Sequence, residues 1–126
     1  MKILLDTNVL LWFIKDDDQL SIKYKEIIEK PENEIYVSIV SLWEITIKFS
    51  IGKLELDIEL ENFFKIITDY YDFKILSMNE THLLEYLKLP LFHRDPFDRI
   101  LYSQAKIEQL TFLYTDEIFK IYDQKQ

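Results

Sequence analysis

The chain has no cysteine, one glycine, three prolines and two histidines among its 126 residues. Without cysteine there is no disulfide framework, no thiolate zinc site and no thiol redox chemistry. With only His82 and His93, a multi-histidine metal site is excluded, which leaves oxygen donors suited to a hard cation. A lone glycine, Gly52, cannot build a glycine-rich phosphate loop, so P-loop and dinucleotide-binding readings fall away. Positive charge is scarce as well: 15 Lys and Arg stand against 23 Asp and Glu, for a net charge of −8. Proteins that rely on broad attraction to nucleic acid are basic. Two bound divalent cations would only halve this deficit, so any nucleic-acid contact must be local or assisted by a partner. Long apolar runs are missing too. Asp6 interrupts the run that starts at Met1, with no small-residue cleavage site after it. Glu44 ends the stretch from Ile35 to Trp43, well short of the roughly 18 residues a membrane span needs. These absences point to a cytoplasmic protein with no membrane segment.

What is present suits a folded chain. The 48% hydrophobic and 15% aromatic content argues for one domain over residues 1–126 with a single core. Lys2 to Leu5 reads as a buried strand running into Asp6-Thr7-Asn8, all good helix-capping types, and a helix then extends to the acidic turn at Asp16 to Asp18. Ser21 caps a second helix that Pro31 ends. Ile35 to Ser38 is a second strand. Ile39 to about Phe49 is a helix apolar nearly all round, with Gly52 marking its end. Lys53 to Glu61 alternates apolar and acidic residues like a strand, yet Leu60, Phe63, Phe64 and Ile67 have helical spacing. The spacing predicts a helix from about Asp57, with Asp57 as its cap. Phe73 to Leu76 is a third strand and Asn79 to Leu87 a helix before Pro90. Asp95-Pro96 opens a helix to about Gln109, Thr111 to Tyr114 is a fourth strand, and a short helix follows Thr115-Asp116. Strands alternating with helices predict an α/β fold with a mainly parallel sheet.

Functional groups in such sheets gather beyond the carboxyl ends of the strands, and acids fall at those ends. Asp6 and Asp116 each follow a strand, and each has a capping role as its simpler explanation. Glu44 lies among Ile39, Val40, Leu42, Trp43, Ile45 and Ile47, so a buried helix carries one carboxylate. A pair with Lys48, one turn later, is the competing explanation, but such pairs are worth only about 0.2–0.5 kcal/mol. Asp95, Pro96 and Asp98 occupy the N-cap, N1 and N3 positions of one helix. Capping fully explains Asp95. Asp98 sits deeper, near the positive end of the helix dipole, and is the better metal ligand of the two. Asp6, Glu44, Asp98 and Asp116 on one edge would form a pocket of like charge, stable when protonated or when a divalent cation neutralises it.

The motifs carrying these acids resemble those of PIN-domain ribonucleases, specifically VapC-type toxins of bacterial type II toxin–antitoxin pairs. The resemblance runs from Met1 to about Phe119. It rests on Leu4-Leu5-Asp6-Thr7-Asn8, on Ser38, Ser41, Trp43-Glu44-Ile45 and Lys48, on His93-Arg94-Asp95-Pro96-Phe97-Asp98-Arg99, and on Thr115-Asp116-Glu117. The third motif is the most specific. The resemblance implies a helix–sheet–helix sandwich whose strand ends hold magnesium or manganese. Asp6 and Asp98 would contact the metal most directly, with Glu44 and Asp116 completing the site partly through water. It implies hydrolysis of RNA phosphodiester bonds by a metal-activated water, with Thr7, Asn8, Ser38 or Thr115 orienting ligands. Lys48, Arg94 and Arg99 are the nearest cations by sequence for the scissile backbone. A small cognate antitoxin, and often a homodimer, would be the protein partners. Family members commonly finish with a further short strand, whereas Ile118 to Tyr122 reads as helix here.

Two other readings compete. A catalytically inactive PIN-like module that docks protein or RNA suits the acidic surface but not four intact acidic positions. A phosphoacceptor signalling domain would need an adjacent acidic pair after the first strand, where this chain has Asp6-Thr7-Asn8.

Overall fold

In the computed structural model, which describes residues 1–91 and 95–125, with side chains to Tyr122, the strands form one sheet in the order β3-β2-β1-β4. They are β1 (Lys2–Leu5), β2 (Glu34–Ser38), β3 (Lys74–Leu76) and β4 (Thr111–Leu113). Every pairing is parallel, so the expected mainly parallel sheet is wholly parallel. Leu5 lies opposite Val37 on one side and Leu113 on the other, which brings three strand ends to one level.

Seven helices connect and cover the described strands: α1 (Thr7–Lys15), α2 (Ile22–Glu29), α3 (Ile39–Ser50), α4 (Leu60–Lys65), α5 (Glu80–Lys88), α6 (Pro96–Glu108) and α7 (Phe119–Lys125). Their starts obey local chemistry. Asp6, Ser21, Ser38, Asn79 and Asp95 each accept a backbone N–H at an N-cap, as capping residues do. Gly52, at φ 74°, closes α3 as expected: its own N–H and that of Lys53 turn back to the carbonyls of Phe49 and Lys48.

Two expectations need correction. The fourth helix begins at Leu60 after Glu59, not near Asp57. Asp57 has φ 62°, a left-handed conformation that a helix N-cap does not take. The helix then widens into a π turn over Ile66–Tyr70, closed by Tyr71 N–H to Ile66 O at 3.0 Å. The third helix is not apolar-buried all round either, because Ile39 and Trp43 stand exposed on one flank.

The main core lies between the sheet, α1 and α3, where Ile3, Leu5, Val9, Leu10, Val37 and Ile45 are buried. A second cluster joins Tyr102 of α6 to Phe119 and Tyr122 of α7. Among the described residues no helix is long and apolar enough to cross a membrane.

Candidate active site

Asp6 is placed by the sheet itself. Its N–H continues the β1–β4 ladder to Leu113 O at 3.0 Å. Its Oδ1 accepts from Val9 N at 2.7 Å, so it caps α1. Its Oδ2 accepts from the N–H and the hydroxyl of Thr115, at 2.8 and 3.2 Å. Asn8 Nδ2 in turn reaches Thr115 Oγ1 at 3.5 Å. Capping and site geometry therefore coexist in one carboxylate. Only 3% of Asp6 is exposed. Burial pushes its pKa from the ordinary 3.8 up to about 6; the hydrogen bonds from Val9 and Thr115 oppose that rise, and the Glu44 charge adds to it.

Glu44 comes from the second turn of α3, a helix locked to α1 by a buried Thr7 Oγ1 to Ser41 Oγ bond of 3.0 Å. It is 7% exposed. Its Oε2 takes Lys48 Nζ at 2.8 Å, so the competing pair does form. Among the described residues its Oε1 is buried without a donor. A buried oxygen without a partner costs about 1–3 kcal/mol, several times what an i,i+4 pair returns.

The other two acids stand differently. Asp98 is half-buried in the first turn of α6, where its N–H meets Asp95 Oδ1 at 3.4 Å. Asp95 is the helix cap, its Oδ1 also accepting from Phe97 N at 2.9 Å. Asp116 is exposed, and its Oδ1 caps the following turn through Ile118 N at 3.0 Å. Among the described residues, no three carboxylate or histidine side chains are gathered closely enough to enclose one cation. The buried acids Asp6 and Glu44 feel one another's charge.

The expected phosphate-binding cations fare unevenly. Lys48 is engaged by Glu44. Arg99 is engaged by α5. It is buried over the Tyr86 ring, and its guanidinium donates to the carbonyls of Tyr86 and Leu89 at the end of α5. Neighbours in sequence on a helix lie about 100° apart, and that angle sends Arg99 to α5. Arg94 and His93 lie outside the described residues. One polar residue the motifs did not flag is Gln104, fully buried in α6. An amide inside the apolar run Ile100 to Ala105 was its signal.

The donors available are carboxylate oxygens, and one of them, Glu44 Oε1, is buried and unmatched. Hard, anionic oxygens of this kind fit magnesium or manganese.

A family model described as PIN domain matches residues 3–125 of the chain. No curated protein matches it. Among solved structures it is similar to a chain of VapBC2 from Rickettsia felis bound to a DNA fragment from their promoter. The TM-score there is 0.72 at 19% identity, over 97% of this chain and 93% of that one. It is also similar to a chain of FitAcB from Neisseria gonorrhoeae, with a TM-score of 0.65 at 19% identity, over 98% and 94% of the two chains.

Proposed function

The chain belongs to the PIN domain family, and from that premise we propose that it is a metal-dependent endoribonuclease, the toxin of a type II toxin–antitoxin pair acting in the cytoplasm. The observation that supports this most is Glu44 Oε1, a buried carboxylate oxygen without a donor among the described residues, on the side chain whose charge reaches Asp6. A bound cation is one partner that would satisfy such an atom.

Asp6, Glu44, Asp98 and Asp116 are the proposed ligands, for magnesium or manganese. When bound, the cation lowers the pKa of a water and offsets charge on the attacked phosphate. The chain's own residues prepare for this. Val9 N–H and Thr115 fix both oxygens of Asp6, leaving their remaining lone pairs in one orientation. With a pKa of about 6, Asp6 is mostly ionised at neutral pH. Lys48 fixes one oxygen of Glu44 and leaves the other bare. Asp98 lies in the first turn of α6, at the positive end of the helix dipole.

The partners proposed are an RNA substrate, a small antitoxin and a second copy of the chain. The solved relatives include VapBC2 and FitAcB. A second copy suits the exposed apolar flank, where Trp43, Leu83 and Leu87 are 59%, 50% and 79% exposed. Trp43 and Leu83 line an apolar groove of about 240 Å³ with Val40, Tyr86, Phe97 and Ile100. The net charge of −8 favours one alternative, a PIN-like module that docks protein or RNA without cutting.

Total RNA incubated with purified protein and manganese, with chelator, and with Asp98→Asn in parallel tests the reading. Cleavage that needs both metal and Asp98 is expected. Asp98→Asn protein that cuts like the parent overturns the site assignment. No cutting, together with no rise in melting temperature on adding manganese, selects the docking module.

A further inference from the structure

The hydrogen bonds of one buried side chain tie together the two helices that carry Glu44 and Asp98. Gln104, in α6, has no exposed surface. Its Oε1 accepts from Ser38 Oγ at 2.6 Å. Its Nε2 donates to Ser77 O at 3.3 Å and lies 3.4 Å from His82 Nδ1. Ser38, equally buried, is the N-cap of α3 and accepts from Val40 N at 3.0 Å. His82 Nδ1 also accepts from Asn79 N at 3.1 Å, so its Nε2 is the donor to Glu108 Oε2 at 2.7 Å. Both ends of the Gln104 amide are satisfied, and any slip of α6 along α3 leaves buried groups unpaired.

Such a strut sets a register. Contacts between α3 and α6 run in opposite order along the two helices. Ser38 meets Gln104, Val40 packs with Ile100 and Leu101, and the Trp43 and Phe97 rings meet at 5.3 Å. Glu44 directly follows Trp43 and Asp98 directly follows Phe97 in sequence, so both acids flank that ring contact. Glu44 lies six residues after Ser38, and Asp98 six residues before Gln104. Six residues give about 9 Å of rise, the same on both helices, so residues 44 and 98 stand at about one level along the helix pair.

We infer that Gln104 is a positioning residue: with Ser38 it sets the register of α3 against α6, and so the spacing of Glu44 and Asp98 across which a divalent cation is held. This rests on the metal-dependent reading above. A merely structural Gln104 would lower the melting temperature without any coupling to Glu44.

A double-mutant cycle on manganese affinity, read by titration calorimetry, separates the two roles. Gln104→Met keeps the side-chain length and removes both hydrogen bonds. Glu44→Asp keeps a carboxylate but withdraws it by one methylene. Each is expected to raise the manganese dissociation constant about tenfold, the lower end of losses seen when ligand-orienting contacts go. Together they should cost clearly less than the product, because a shortened ligand no longer depends on the spacing. Melting in chelator establishes that each variant is folded. Should Gln104→Met not fold, Ser38→Ala removes the other end of the same bond and carries the same expectation. Unchanged manganese affinity in the folded variant overturns the inference, as does a fully multiplicative double variant. Parent protein that binds no manganese overturns the metal reading itself, which the first two outcomes leave standing.

Discussion

Replacing Asp6 with Asn should change how stability depends on pH, in a direction opposite to ordinary acid denaturation. The buried carboxyl titrates near 6 when folded, against 3.8 ordinarily. The folded state therefore holds this proton more tightly than the unfolded state. Below pH 4 both states are protonated and the contribution is fully present. As pH rises from about 4 through 6, folding requires an ionised, buried acid, and stability is lost. The gap corresponds to about 3 kcal/mol at about 1.4 kcal/mol per pH unit, a sizeable share of a domain's typical 5–15. The substitution also leaves one of the Val9 and Thr115 donors facing the new amide group. That penalty is the same at every pH, so it offsets the curve without bending it. Urea unfolding in chelator, for parent and Asp6→Asn at intervals from pH 4 to 7.5, reads the difference. Subtraction removes the remaining carboxylates except Glu44, whose repulsion of Asp6 acts with the same sign. The parent should lose about 2.5 kcal/mol relative to the variant across that range. Two curves that stay parallel within about 0.5 kcal/mol would refute the burial argument for Asp6.

Glu44→Gln should stabilise the metal-free protein by about 1 kcal/mol, because an unmatched buried anion disappears and only an i,i+4 pair is lost; the same variant should lose the manganese-linked rise in melting temperature, and thermal scans with and without manganese check both. Thr115→Val removes the hydroxyl that donates to Asp6 Oδ2 and should raise the Asp6 midpoint further, read by carbon-detected NMR titration; a midpoint at or below that of the parent would contradict it. Trp43→Glu, on the exposed apolar flank, should convert the proposed dimer to monomer in sedimentation velocity without lowering its melting temperature by more than a few degrees.

Much of this arrangement was legible because single residues carried it. Asp95-Pro96 announced α6 to the residue, and Ser21 and Gly52 marked helix ends through chemistry confined to one turn. Asp6 and Glu44 were legible as acids stranded among apolar neighbours. The errors arose where local signals conflicted or a distant element decided. Lys53 to Glu61 alternates like a strand and continues with helical spacing, and neither pattern announces the left-handed Asp57. Arg99 stands beside Asp98 in the sequence, but only the position of α5 reveals that its guanidinium serves the carbonyls of Tyr86 and Leu89. Gln104 draws its meaning from Ser38, 66 residues away, and no window along the chain contains both.

The pairing of β1 with β4 also has a consequence in time. The first strand of the chain needs the last described strand as its neighbour, and Asp6 needs Thr115, 109 residues later, to close around it. Ribosomes add about 5–20 residues per second, so β1 can wait many seconds beside β2 with its other edge open. Ile3 and Leu5 are then half-covered, and the carboxyl of Asp6 is an ordinary hydrated acid. The altered proton affinity of Asp6 is acquired only by the finished chain, in the closing step of assembly. Contacts of such long range also slow folding, which makes the docking of β4 a natural rate-limiting event in the birth of this protein.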